Sequence, residues 1–270
     1  MFPELTVVIP VWGAYWVYLD QLLPALHHQG IHPEQIIIVA NGEAFPAELI
    51  DRGYICIRTS EQVDIGSARN AGLELVSTRY VLFCDADDLP VSGAISDMLA
   101  ALEQHPKAVL ATGFNMRADG EPYPWPDPSM PLLVHKRRRL MLRQWGWNQM
   151  FAAGGTVFRT RVLAAAGGFP SMELAEDGAL IALLSAIGEI VFLDRPTRIY
   201  QIHPEGLCQQ GHSRTRWRQA YRQQRIWLRR HDQLPWWLRK LTYVYAPMHR
   251  INSRHLERKA RYDYGQLPGH

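Results

Sequence analysis

The stretch Arg79-Tyr80-Val81-Leu82-Phe83-Cys84, followed at once by Asp85-Ala86-Asp87-Asp88, decides the fold. A short apolar run that ends abruptly in charge reads as a strand buried on both faces and surfacing at its carboxyl end. Three carboxylates at that point repel one another, and one pKa rises strongly unless a cation sits among the oxygens. A hard divalent ion such as Mg²⁺ or Mn²⁺ takes carboxylates together with phosphate oxygens. The segment therefore points to a metal and a phosphate-bearing ligand. By itself it reads equally as an acidic turn running through Leu89-Pro90 into a helix from Ser92, with Asp88 solvated.

Similar runs lie on either side. Strands are expected over Leu5 to Val11, Gln35 to Ala40 and Tyr54 to Arg58, helices over Trp16 to His28 and Gly66 to Ser77, and the strand quoted above over Tyr80 to Cys84. A helix Ser92 to His105 and a strand Ala108 to Phe114 follow. Continuous apolar runs alternating with helical patterns imply a mainly parallel sheet covered on both faces. Prolines at 122, 124, 126, 128 and 131 exclude regular structure over Glu121 to Pro131, leaving a semi-rigid surface excursion. Leu174 to Ile187 then reads as a helix, with Ile190 to Leu193 and Arg198 to Ile202 as closing strands.

Ligands of an open α/β sheet settle at the carboxyl ends of its strands, and the candidate residues lie there. Pro10 and Val11 end the first strand and Asn41-Gly42 the second. The loop-to-helix segment Gly66-Ser67-Ala68-Arg69-Asn70-Ala71-Gly72 lets phosphate or ribose approach a helix amino terminus. Arg69 there suits a nucleotide oxygen or a nearby carboxylate. Glu176-Asp177 begins a helix, where a carboxylate either serves as a base or simply complements the helix dipole.

In series these motifs resemble the nucleotide-binding half of family-two glycosyltransferases with the GT-A fold. Ala153-Gly154-Gly155-Thr156-Val157-Phe158-Arg159, Gly167-Gly168-Phe169, Glu176-Asp177 and Tyr200-Gln201-Ile202-His203 resemble the acceptor half, so the likeness runs from about Leu5 to Pro204. The resemblance implies a GT-A-like α/β/α sandwich over residues 1–204, with a nucleotide half of about 1–114 and an acceptor half of about 115–204. It implies nucleotide contacts from Pro10, Val11, Asn41, Arg69, Asp85 and Ala86, with Asp85 on the ribose side. Asp87 and His203 would hold Mn²⁺ or Mg²⁺, His212 being a weaker substitute for the histidine. Gly154, Gly155, Thr156 and Glu176 would meet the acceptor, and Asp177 would be the base. Relatives usually carry an acidic residue where Asn41 stands; its carbonyl can still accept from a base N–H, and uracil remains the first choice. The implied activity is a metal-dependent, inverting transfer of a sugar from a nucleoside diphosphate donor, a UDP-sugar first, to a hydroxyl of a glycan or lipid-linked acceptor. A nucleotide-sugar-binding or regulatory module without turnover is the alternative, and a nucleotidyltransferase is a third reading; the latter would show a glycine- and lysine-rich phosphate loop that Val11-Trp12-Gly13-Ala14-Tyr15 lacks.

Composition agrees with a globular protein: 270 residues, 47% hydrophobic and 20% charged. No secretory leader pattern and no apolar run of about 18 residues is present, so a cytoplasmic protein is expected, at most peripheral to the inner face of a membrane. Cys56 and Cys84 sit in apolar runs and read as reduced core thiols. Residues 205–270 differ in kind. They carry 14 of the 29 Lys+Arg and 4 of the 26 Asp+Glu, a formal net of +10 against −7 for the rest. Arginines interleave with aromatics there in helices separated by Pro235. Such helices suit packing on the catalytic domain or an anionic membrane surface, with nucleic acid the least favoured partner. The stretch Asn115 to Trp147, with basic Lys136 to Arg139, is expected to shape the acceptor site.

Overall fold

The computed structural model describes residues 2–121, 123, 137–147, 152–201 and 214–254. His203 and His212, the prolines of the 122–131 stretch and Lys136 lie outside them.

Eight strands form one sheet: β1 Leu5–Val11, β2 Ile36–Ala40, β3 Ile55–Arg58, β4 Tyr80–Phe83, β5 Leu89–Pro90, β6 Ala108–Arg117, β7 Thr156–Arg159 and β8 Glu189–Tyr200. Their order is β3-β2-β1-β4-β7-β6-β8-β5. β3, β2, β1 and β4 run parallel, whereas β7 enters antiparallel between β4 and β6. Side chains alternate across the sheet as the two-residue strand period requires. Leu5, Val7, Ile9, Ile36, Ile38 and Leu82 pack on one face with the helices Leu19–His28 and Ala94–Gln104. Val8, Ile37, Val39, Val81 and Phe83 pack on the other with the helices Ile65–Leu73 and Glu176–Ile187. The fold is thus the expected sandwich with a mainly parallel mixed sheet.

Several elements differ from the sequence expectation. The chain over Gly13–Tyr18 is a 3₁₀ turn and the α-helix begins only at Leu19. The helix expected to reach Ser77 stops at Leu73, its carboxyl end capped at Glu74. The two closing strands are one, Glu189–Tyr200, because register shifts against β6 on either side of the Phe114–Pro196 pair absorb the extra residues without ending the pairing. The 115–147 stretch contains the end of β6 and a helix, Arg137–Trp147. That helix packs against Glu176–Ile187, with the Trp145 indole N–H donating to the Ala182 carbonyl at 2.7 Å.

The carboxyl-terminal helices Arg214–Arg230 and Trp236–Val244, the latter continued over 246–254, pack on the sandwich. Leu228, Leu234, Leu238 and Tyr245 join the core built around Leu180 to Leu184. Trp217, Ala220 and Tyr221 close over Leu174 and Ala175. Cys56 and Cys84 carry free thiols, and burial, aided by the Asp85 and Asp88 charges, pushes the Cys84 thiol up.

Candidate active site

β4 delivers Asp85 to Asp88 to the carboxyl edge of the sheet, and two buried arginines meet them there. Arg69, from the helix Ile65–Leu73, donates through Nη2 to Asp85 Oδ1 at 2.6 Å and through Nη1 to Glu176 Oε1 at 2.7 Å. Its guanidinium also lies over the Phe169 ring. Arg198, near the end of β8, places Nη1 2.8 Å from Asp88 Oδ2 and 3.4 Å from Asp85 Oδ2, while its Nε donates to Asn115 Oδ1. The result is a line of alternating charge: Glu176, Arg69, Asp85, Arg198, Asp88. Part of the counter-charge sought from a metal is therefore built into the protein. Asp87 also belongs to the field that Arg198 senses.

The electrostatics separate these carboxyls. Burial works against ionised Asp85, but Arg69 and Arg198 overcome it and hold its pKa below the usual range. Asp88 goes the other way: burial, with Asp87 and Asp85 adding repulsion, lifts it well above that range despite Arg198. Asp88 is 3% exposed, so the solvated turn residue read from the sequence is instead a buried partner of Arg198. Burial and the adjacent Asp177 charge push Glu176 up to about 7, with Arg69 opposing. Asp177 is raised as well, by burial first, although the backbone N–H groups of Gly178 and Ala153 donate to it.

Glu176-Asp177 reaches the site through an unusual turn. Ala175 has φ 61°, the sole non-glycine in the left-handed region among the described residues, and starts the helix immediately before the pair. Such a conformation costs about 1–2 kcal/mol for a residue with a Cβ, and here it turns the first helical turn toward Arg69. Opposite, Gly154 approaches so closely that a Cβ would lie 2.3 Å from Asp85 Oδ2 and 2.6 Å from Arg198 Nη1. The Gly155 N–H donates to the Phe83 carbonyl, tying this floor to the end of β4.

Asn41, Val11, Pro10 and Thr156 are held by backbone and side-chain bonds around this edge. The Asn41 carbonyl accepts from the Val63 N–H at 2.9 Å and the Thr59 hydroxyl at 3.2 Å, and its amide donates to the Val63 carbonyl. The single Thr59 proton also has the Glu61 carbonyl within 2.8 Å, so the Val63 N–H is the firm partner of the Asn41 carbonyl, and these bonds tie Asn41 to the loop beside β2. The Val11 carbonyl accepts the Asn41 N–H, and Pro10 pairs in register with Val39. Thr156 is fully buried, its hydroxyl engaged with the Ala152 carbonyl and Thr112; it supports the glycine floor from beneath. Ala86 is buried beside the acidic turn. Phe169 packs edge-on against Phe83. Arg198 and Asp88 are the residues sequence reasoning missed. An arginine standing in the last apolar strand, opposite surplus carboxylates, was the available signal.

A covered, mainly parallel sheet with a switch to antiparallel pairing beyond β4, and carboxylates gathered at its carboxyl edge, defines the GT-A class of α/β protein. The chain belongs to Glycosyl transferase family 2, whose sequence signature matches residues 6–166. It is 27% identical over 111 residues to the minor teichoic acid biosynthesis protein GgaB of Bacillus subtilis, covering 38% of this chain and 12% of that protein. To the amylovoran biosynthesis glycosyltransferase AmsE of Erwinia amylovora it is 26% identical over 102 residues, covering 34% and 38%. The matches thus span well under half the length of these curated relatives. Among solved structures, residues 1–349 of S. aureus TarS in complex with UDP-GlcNAc superpose with TM-score 0.68 at 17% identity, covering 93% of this chain and 74% of the other. The mannosyltransferase PcManGT of Pyrobaculum calidifontis, in complex with GDP-Man and Mn²⁺, gives 0.62 at 15% identity, covering 97% and 74%. At these identities the structures speak for the fold.

Proposed function

We propose that the protein transfers a sugar from a nucleoside diphosphate donor, a UDP-sugar first, to an acceptor hydroxyl with inversion at the anomeric carbon. The observation that carries this reading is the Arg69 bridge, which holds the Glu176-Asp177 helix start against Asp85 at the strand ends. One guanidinium thereby fixes a candidate base beside a candidate donor site. Solved members of the fold hold nucleotide sugars, UDP-GlcNAc in TarS and GDP-Man in PcManGT. The same neighbours motivate a divalent ion, Mn²⁺ or Mg²⁺.

Among the described residues no group of three His, Cys, Asp or Glu side chains could hold a metal alone. Asp85 is already engaged by two arginines. Asp87 would hold such an ion together with donor phosphate oxygens, and His203, outside the described residues, would be a further ligand. Such an ion supplies positive charge where the diphosphate departs. Arg69 and Arg198 keep Asp85 ionised and fixed on the ribose side. Asp177, its pKa raised by burial, accepts the proton of the attacking hydroxyl, while Glu176 orients the acceptor over Gly154 and Gly155. The acceptor is a glycan or lipid-linked hydroxyl, and a lipid-linked one would place the enzyme peripherally at the inner face of a membrane. Calorimetry with UDP and UDP-sugars, with Mn²⁺ and with chelator, tests the reading. Nucleotide binding should require the ion and lose that requirement in Asp87→Ala; equal affinity in both conditions would remove the metal from the proposal.

A further inference from the structure

The last helical segment is apolar on the wrong side. Over 236–254 its inward face carries Leu238, Thr242, Tyr245, His249, Asn252 and Ser253, all buried. Its outward face carries Trp236, Trp237, Tyr243, Val244, Met248 and Ile251, with Trp236, Tyr243 and Val244 each about 65% exposed. This outer set falls on one stripe, with Tyr243 and Val244 two helical turns beyond Trp236 and Trp237 and Met248 and Ile251 at further spacings of four and three. Cations border it. The Lys240 ammonium lies 4.9 Å from the Trp236 ring centroid, and the Arg229 guanidinium 4.4 Å from that of Tyr243. Arg250 and Arg254 are exposed on the same segment. Between Arg214 and Arg254 the one acidic residue is Asp232.

We propose that this stripe docks on an anionic lipid surface, going beyond the transfer reaction and standing on the chemistry of the face itself. The tryptophans and Tyr243 would lie at the headgroup level, Val244, Met248 and Ile251 would enter the acyl boundary, and Lys240, Arg250 and Arg254 would meet lipid phosphates. A second copy fits poorly, since a two-fold pairing of this face would set its cations against their own equivalents. A nucleic acid fits poorly too, because a polyanion offers no partner to the branched and thioether side chains. No helix among the described residues is long and apolar enough to cross a membrane, so binding would be interfacial.

The test is sedimentation of the full chain with vesicles of phosphatidylcholine alone and of phosphatidylcholine mixed with phosphatidylglycerol, at low and high salt. Binding is expected on the mixed vesicles, reduced but not abolished by salt as screening removes the ionic part and leaves the apolar part. The double variant Trp236→Glu with Ile251→Glu should bind the mixed vesicles at least roughly tenfold more weakly, with melting temperature and UDP binding unchanged. No binding of the native chain to the mixed vesicles overturns the proposal. So does undiminished binding by the variant, or self-association that the variant abolishes in a chain that ignores lipid. UDP binding on the same samples keeps a failure here separate from a failure of the transferase reading.

Discussion

The strand-end site and the carboxyl-terminal helices bury polar groups in opposite ways. At the strand ends the buried groups are ionisable, Arg69, Arg198, Asp88 and Glu176, and each carboxyl is answered by an arginine. In the helices the buried groups are neutral. His249 lies stacked on Tyr221, its Nε2–H donating to the Trp145 carbonyl and its Nδ1 accepting from Arg225 Nη1, while the Asn252 amide donates to the Tyr221 hydroxyl. Charged pairs at a cleft can rearrange around a charged ligand. Hydrogen bonds to neutral groups inside a helix interface hold a shape. The difference sets an edge whose charges can rearrange against an interface that holds its shape, and the following experiments bear on it.

The largest effect should come from Asp177→Asn, which keeps shape and hydrogen bonding but removes a base. Single-turnover transfer is expected to fall about 10²–10⁴-fold with donor affinity retained; near-normal transfer would move the role to another group. Next, Arg198→Gln strips Asp88 of its arginine and leaves Asp85 with Arg69 alone. Breaking a buried pair this way costs about 3–5 kcal/mol, read as a fall in the urea midpoint that added nucleotide does not cause in the native protein. Leu228→Ala asks whether the helices are an appendage. Its side chain is 2% exposed within the main core, so a loss of about 2–5 kcal/mol is expected; an unchanged melting temperature would detach the tail from the fold.

The fourth experiment uses pH. Burial, with Arg225 adding repulsion, pushes His249 down to about 4 from an ordinary value of 6.5. The unfolded chain therefore takes up this proton first as pH falls. The contribution of neutral His249 is full above pH 6.5 and lost progressively toward pH 4, on the order of 3 kcal/mol in all. His249→Gln should flatten that part of the stability profile. The smallest effect should be that of Trp236→Ala, within about 0.5 kcal/mol of the native stability, because its side chain is mostly exposed.

The sheet was legible because its residues obey one rule locally. β1, β2 and β4 are continuous apolar runs, and burial on both faces is what such runs mean. The Asp85 to Asp88 turn and the Glu176-Asp177 helix start were legible for the complementary reason, as charge where apolar patterning stops. Illegible were the features fixed by tertiary pairing. Nothing in the sequence shows that the Asn41 amide bonds to Val63, a partner 22 positions away. Asp88 looks solvated until Arg198, 110 residues later, is brought beside it. β8 reads as two strands because Arg195 and Pro196 interrupt the pattern, and only the bulged register against β6 keeps it whole. In the helices, basic and aromatic spacing foretold helicity, but which aromatics face inward depended on the shape of the surface beneath.

The alternating line from Glu176 through Arg69, Asp85 and Arg198 to Asp88 draws its members from four separate parts of the sequence. Any exchange of one part with a relative would have to carry compatible partners for the others, or leave a charge stranded in the interior. Recombination within this chain is thus constrained at junctions that look like harmless loops. Substrate preference would more readily diversify through the segments between them, which can change while the charged line stays intact.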